Sequence, residues 1–244
     1  WSPDVLVRAI ARMPRPEKVR AVWGHWGPDA RAALPRPCAA ITLLRDPREL
    51  IVSAYHYTDS HTRLMRTFDE YMAERSEYPI GFDNPLTRVL SARPELNPAD
   101  TDATTATHPM VTGADLSAAT TMLDDCMLVG VTEQFDETLL ILASDLGWTL
   151  SDLVYTRINV TEHRPALAEL ASATRKKLSD LTLYDVRLHT YARELLGRRI
   201  QGYRDSLERT LLLFRQLNVR FRAGEGLDEL RAYERDIAPP HRDS

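Results

Sequence analysis

The chain has 244 residues, 43% of them hydrophobic, and its 31 Lys and Arg against 35 Asp and Glu leave a net charge of −4. That size supports one sizeable α/β core, and with no aromatics interleaved among its basic residues the sequence excludes a nucleic-acid-binding surface. Cys38 and Cys126 offer neither a metal-ligand spacing nor a disulfide framework and read as buried free thiols of a reducing compartment, while no signal peptide opens the chain and no apolar run reaches the roughly 18 residues of a membrane helix.

The predicted elements begin with an amphipathic helix over about residues 3–13 and a short strand from Val19 to Trp23 that ends at Gly24-His25. Residues 27–37 are too short and too rich in Pro for a long helix. The apolar run Ala39 to Leu44, with β-branched residues inside it, predicts a buried strand. The next residues specify a helix start: Asp46 as N-cap, Pro47 at the first helical position, and Glu49 placed to close a capping box. That helix runs to about Asp59. Arg45 therefore stands at the carboxyl end of a strand and beside the positive end of a helix dipole, where phosphates are favoured. Ser53, about two turns along, flanks the same place. The competing reading is a surface Arg45 paired with Asp46 or Glu49.

Further on, a Thr-x-x-Glu box at Thr67 opens a helix, and residues 93–112, rich in Pro, Thr, Asp and Ala, read as a mobile surface loop. A helix from Asp115 leads into a strand over Met127–Val131. Phe135, Leu139, Leu142 and Leu146 then repeat at helical spacing until Gly147, a stripe read as core. Two long helices, over about 166–196 and 198–221, finish the fold. Leu181, Tyr184, Leu188, Tyr191 and Leu195 form the buried stripe of the first. Residues 223–244 make a terminal helix and a fraying tail. Residues 171–222 hold twelve Lys or Arg against five Asp or Glu, either a face for an anionic acceptor or the solvated side of long helices.

Three segments, in this order, resemble the sulfotransferases that use 3′-phosphoadenosine 5′-phosphosulfate (PAPS). They are Ala21-Val-Trp-Gly-His25-Trp-Gly27, the strand-to-helix unit carrying Arg45 and Ser53, and Met127-Leu-Val-Gly-Val-Thr-Glu133. The first is most similar to the Golgi-type carbohydrate enzymes, in particular the heparan sulfate and uronyl 2-O-sulfotransferases. The resemblance covers about residues 20–200. It implies an α/β fold, a P-loop-NTPase-like parallel sheet flanked by helices with a helical C-terminal region, in which residues 1–222 form an N-terminally truncated domain. It implies PAPS as donor, Arg45 and Ser53 on its 3′-phosphate, and His25 as the base. Asn159, Thr161 and Arg164, in the polar loop from Tyr155 to Pro165, would close over the nucleotide. The acceptor is a hydroxyl of a carbohydrate or other small molecule, and no metal is required.

The family's Lys-containing loop for the 5′-phosphosulfate has no counterpart in residues 1–18, which sets a truncated sequence against genuine loss. Loss would leave a noncatalytic nucleotide- or partner-binding module as the alternative function. A nucleotide kinase is a third reading, without a magnesium-binding Asp pair to support it. His56 and His163 are rivals to His25. The sequon Asn159-Val-Thr161 matters only in a secreted protein, and the Ala-, Arg- and Asp-rich composition with no anchor points to a bacterial cytoplasm. Acceptor identity and oligomeric state stay open.

Overall fold

The computed structural model describes residues 3–24, 30–31, 34, 36–62, 67–77, 82–93, 96, 109–157 and 166–237. They fall into two compact units, Trp1–Val129 with His163–Ala192 and Gly130–Glu162 with Arg193–Ser244.

The first unit opens with α1 (Pro3–Ala11), whose Leu6 and Ile10 pack with Ala30. Strand β1 (Ile41–Leu44) pairs in parallel with β2 (Leu128–Val131), and the Met127 N–H extends the ladder to the Ala40 carbonyl at 2.8 Å. All of β2 is buried, but Ile41 and Leu43 are exposed, so β1 is half-buried where the apolar run predicts burial on both faces. Among the described residues the sheet has these two strands. The strand expected at Val19–Trp23 is absent, and that stretch is irregular and largely exposed. The Arg36 guanidinium donates to the carbonyls of Glu17 at 3.1 Å and Val19 at 2.9 Å, so a side chain satisfies backbone acceptors that a neighbouring strand would otherwise take.

After β1, α2 (Pro47–Thr62) buries Ile51 and Val52 against Tyr71 and Met72 of α3 (Phe68–Glu77), Phe82, and Leu178 of α7 (Ser172–Leu181). Tyr55 and Phe68, and Tyr71 and Phe82, meet edge to face with centroids 5.2 and 5.3 Å apart. The Thr67 capping box forms as the sequence predicts, the Thr67 N–H donating to Glu70 at 2.7 Å and the Glu70 N–H to Thr67 Oγ1 at 3.2 Å.

A polar node joins distant parts of this unit. Asn84, in the left-handed conformation at φ 48°, stands at the start of α4 (Pro85–Leu90), and its Oδ1 accepts the N–H groups of Tyr184 and Asp185 at 2.7 and 3.0 Å. In return the Asp185 carboxylate accepts the N–H groups of Leu86 and Thr87 at 2.9 and 2.7 Å. Each of α4 and α8 (Leu183–Gly202) is thus capped by a residue at the start of the other. Beside them the buried Arg88 pairs with Asp83 at 2.6 Å and donates to the carbonyls of Leu96 and Pro109. Leu96 is fully buried and Arg88 holds Pro109, so the described parts of 93–112 are anchored, and the remainder of the loop expected there lies outside the described residues. Helix α5 (Gly113–Asp124) begins with a Thr112–Asp115 capping box.

Burial pushes the Asp185 carboxyl up from 3.8 to about 6, against the opposing pull of the Thr87 and Leu86 N–H groups. The folded chain therefore keeps this proton to higher pH than the unfolded chain does. The resulting stability is fully present below about pH 4 and is lost as pH rises through about 6, a change on the order of 3 kcal/mol at 1.36 kcal/mol per pKa unit. Urea titrations of wild type and Asp185→Asn from pH 4 to 7 should show the wild type losing that much relative to the variant. A pH-independent gap would mean that Asp185 is ionised throughout.

The expected 166–196 helix is broken. A 3-10 turn (Leu167–Glu169) precedes α7, and Thr182 separates α7 from α8, because Asn84 claims the first N–H groups of α8. Helix α8 then runs on to Gly202, past the start expected for the second long helix, and α9 (Arg204–Arg222) follows. The buried face of α8 is Asp185, Leu188, His189, Ala192 and Leu196, displaced from the apolar stripe read in the sequence because Asp185 and His189 go inside.

In the second unit, a 3-10 turn (Thr132–Gln134) leads from β2 into α6 (Phe135–Leu146), ended by Gly147 at φ 66°. The face expected to be core is corrected. Thr138, Leu140, Ile141 and Ala143 are buried and Leu146 is exposed. Leu140 and Ala143 pack with Leu153, Leu207 and Phe214, while Leu213 and Leu217 pack with Leu230 of α10 (Leu227–Ile237). Glu234 of α10 caps the Leu150–Leu153 turn by accepting the N–H groups of Leu150 and Ser151 at 2.8 and 2.9 Å, which fixes the terminal helix to this unit. The tail expected to fray, residues 238–244, lies outside the described residues.

Candidate functional site

The β1-to-α2 turn is built by its cap. Asp46 Oδ1 accepts the Arg48 N–H at 2.9 Å, and the Arg48 side chain folds back on the same carboxylate, with Nε at 3.0 Å and Nη2 at 2.6 Å. Burial pushes the Asp46 carboxyl up, but the side-chain hydrogen bond and charge of Arg48, its backbone N–H and the nearby His189 together hold it below the usual carboxylate range. Asp46 is therefore an anion committed to the cap.

Arg45 is left at the strand end. Its Nη2 lies 3.8 Å from Glu49, with 32% and 29% of the two side chains exposed. The surface-pair reading is thus realised with Glu49, while Arg48 occupies Asp46. Glu49 and Ser53 share one stripe of α2, a turn apart, with Ser53 half-buried, and Arg45, ahead of the helix, reaches that stripe through Glu49. A partly exposed pair of this kind is worth only about 0.2–1 kcal/mol, so an incoming oxyanion can displace Glu49 at small cost. Negative charge arriving there meets a guanidinium and the start of a four-turn helix.

The other residues singled out in the sequence stand differently. His25, Asn159, Thr161, His163 and Arg164 lie outside the described residues. Trp23, two positions before His25, is 93% exposed. His56 packs along α2 with its ring 4.9 Å from that of Tyr55. Cys38 and Cys126 are free but half-buried, short of the burial expected, and burial pushes the Cys126 thiol up so that it stays protonated. Among the described residues no group of His, Cys, Asp or Glu is arranged to hold a metal ion, and no helix is long and apolar enough to cross a membrane.

Sequence reasoning passed over two features nearby. His189 is buried on α8 close enough to Asp46 to affect its charge. A cleft of about 270 Å³ between the first turn of α2 and α7 is lined by Arg48, Leu167, Arg175, Lys176, Leu178 and Ser179. The available signals were the second Arg of Arg45-Asp-Pro-Arg48 and the run Arg175-Lys-Lys177.

Comparison with known proteins places this strand, cap and helix in a family. The model of the family described as Galactose-3-O-sulfotransferase matches residues 23–229, and the chain belongs to that family. It is 26% identical over 204 residues to galactosylceramide sulfotransferase of Mus musculus, covering 78% of this chain and 45% of that protein. The Bos taurus galactosylceramide sulfotransferase is 24% identical, at 75% and 43% coverage. Galactose-3-O-sulfotransferase 3 of Bos taurus is 22% identical, at 68% and 40%. The chain thus spans less than half the length of these relatives. No solved structure matches.

These matches sustain the sulfotransferase resemblance, and the family they name is a galactose one where the Gly-His segment suggested 2-O-sulfotransferases. They also point away from the cytoplasmic location expected from composition, and that expectation is withdrawn. The fold stands as a mostly helical α/β arrangement with a small parallel sheet.

Proposed function

We propose that the chain transfers a sulfuryl group from PAPS to a hydroxyl of a galactosyl or related carbohydrate acceptor. The observation that carries this reading is Arg45 at the end of β1, beside the capped start of α2 and paired with Glu49, which stands one turn before Ser53 on α2, within the span that the family matches. The parallel β1–β2 pair, with a capped helix directly after β1, supports a P-loop-NTPase-like arrangement as part of the same reading.

When bound, PAPS supplies the activated sulfuryl group. Arg45 and Ser53 hold its 3′-phosphate, the guanidinium by charge-assisted hydrogen bonds once Glu49 has been displaced, and so fix the donor in register with the acceptor. His25 takes the proton of the acceptor hydroxyl as oxygen attacks sulfur, which suits an imidazole with a reference pKa near 6.5. The S–O bond to the 5′-phosphate breaks in the same transfer and adenosine 3′,5′-bisphosphate departs. Asn159, Thr161 and Arg164 contact the nucleotide from the segment before α7.

Calorimetric titration with adenosine 3′,5′-bisphosphate, with 5′-AMP as the control lacking the 3′-phosphate, tests the reading. Binding that needs the 3′-phosphate is expected. Equal binding of both nucleotides, or of neither, would sink the assignment of Arg45 and Ser53. Phosphate-dependent binding without sulfuryl transfer to any galactoside would favour the noncatalytic module instead.

A further inference from the structure

The cleft between α2 and α7 has a composition that the proposed donor site does not use. Its six lining residues include three cations, Arg48, Arg175 and Lys176, one hydroxyl, Ser179, and two apolar residues, Leu167 and Leu178, and none is acidic. Two of the cations are oriented by other groups. Arg48 is clamped on Asp46 through Nε and Nη2, a pair in which Nη1 takes no part. Arg175 Nη1 donates to the carbonyls of Ala168 at 2.7 Å and Leu170 at 3.0 Å, which orients the guanidinium while leaving its full charge in place. Lys176 is exposed, on a flexible stem, and reaches Asp180 at 2.6 Å. Counting Asp46 against Arg48 and Asp180 against Lys176, the positive charge of Arg175 is left over in the cleft.

Geometry separates this cleft from the Arg45 stripe. Arg48 lies about 100° around α2 from Glu49, on the side that packs toward Leu178 through Ile51, Val52 and Tyr55. At about 270 Å³ the cleft also falls below the roughly 300–1,000 Å³ of pockets that enclose a whole drug-sized ligand, so it suits a charged group and not a complete nucleotide.

We propose that the cleft around Arg48, Arg175 and Lys176 is a second oxyanion site, which takes a tetrahedral phosphate or sulfate group independently of Arg45 and Ser53; the Ser179 hydroxyl on its wall donates to the Arg175 carbonyl at 3.0 Å and takes no part. Its planar guanidinium groups match such an anion by paired N–H donors, and Lys176 adds a mobile point charge. This inference does not depend on the sulfuryl-transfer reading. The group can be a free anion or the ester of a larger molecule, and both present the same oxygens.

The test titrates the full chain in low-ionic-strength buffer with sodium sulfate in one arm and galactose 3-sulfate in the other. Wild type is compared with Arg45→Ala, and with Arg175→Gln and Lys176→Gln each added to Arg45→Ala, all checked for folding by circular dichroism. In the Arg45→Ala background, where the proposed donor site no longer contributes, saturable binding is expected to persist and to be weakened at least fivefold by Arg175→Gln and measurably by Lys176→Gln. Tighter binding of galactose 3-sulfate would identify an ester as the ligand, and equal binding a free anion, each upholding the site. Absence of saturable binding overturns the proposal, as does binding that survives both α7 substitutions or is lost in Arg45→Ala. Failure of the bisphosphate titration would leave these outcomes untouched, since its ligand is assigned to a different stripe of α2.

Discussion

Replacing Arg88 by Leu is expected to destabilise the protein by about 3–5 kcal/mol, the cost of leaving one partner of a buried ion pair alone. Arg88 is only 1% exposed and its guanidinium donates to the Asp83 carboxylate and to the carbonyls of Asp83, Leu96 and Pro109. Asp83 in turn accepts the Val111 N–H at 3.0 Å and the Asn84 side chain at 2.9 Å. Deleting the guanidinium strands a buried carboxylate and several carbonyl oxygens together. Urea unfolding measures the loss, and Asp83→Leu in the Arg88→Leu background should recover part of it, because the orphaned charge is then gone. A single-mutant cost below about 1 kcal/mol would show that water reaches the site and satisfies these groups.

The second large effect divides binding from chemistry. Arg45→Ala is expected to weaken adenosine 3′,5′-bisphosphate by about 1.5–3 kcal/mol, the value of a hydrogen bond to a charged group. His25→Ala should leave that affinity intact and lower turnover by about 10²–10⁴-fold, the usual contribution of a positioned general base. Calorimetry and a radiolabelled sulfate-transfer assay on the same two variants supply both readouts. Equal loss of nucleotide affinity in both would place His25 against the phosphates and remove it as the base. The Glu49 pair sharpens the test, because Glu49→Gln frees Arg45 from its carboxylate and should modestly strengthen the bisphosphate where Arg45→Ala weakens it.

The parts of the fold legible in the sequence are those specified by neighbouring residues. The Asp46-Pro47 start of α2, the Thr67–Glu70 box, Gly147 and the apolar runs of both strands each act within a few positions, and each forms where expected. What stayed hidden depends on partners far along the chain. The break at Thr182 follows from Asn84, about a hundred positions away, and the buried face of α8 follows from polar residues that become satisfied only in three dimensions. Periodicity assigns Asp185 and His189 to solvent because it cannot see the N–H groups and charges waiting for them. At the start of the expected strand Val19–Trp23, the Val19 carbonyl accepts from Arg36, a partner that apolar alternation does not reveal. At the candidate site, Arg45 and Ser53 were singled out through one local motif. Arg175 belongs to a separate stretch, and only the fold sets it beside Arg48.

The exchange of caps between Asn84 and Asp185 bears on how this chain reaches its structure. Neither α4 nor α8 has its leading amides satisfied until the other is in place, so the two starts cannot form one after the other without passing through an exposed intermediate. They are expected to appear together, late, after a loop of about a hundred residues has closed, which raises contact order and slows the search. The amides of Leu86, Thr87, Tyr184 and Asp185 should exchange with deuterium through one shared opening, and loosening either cap should release all four at a common rate.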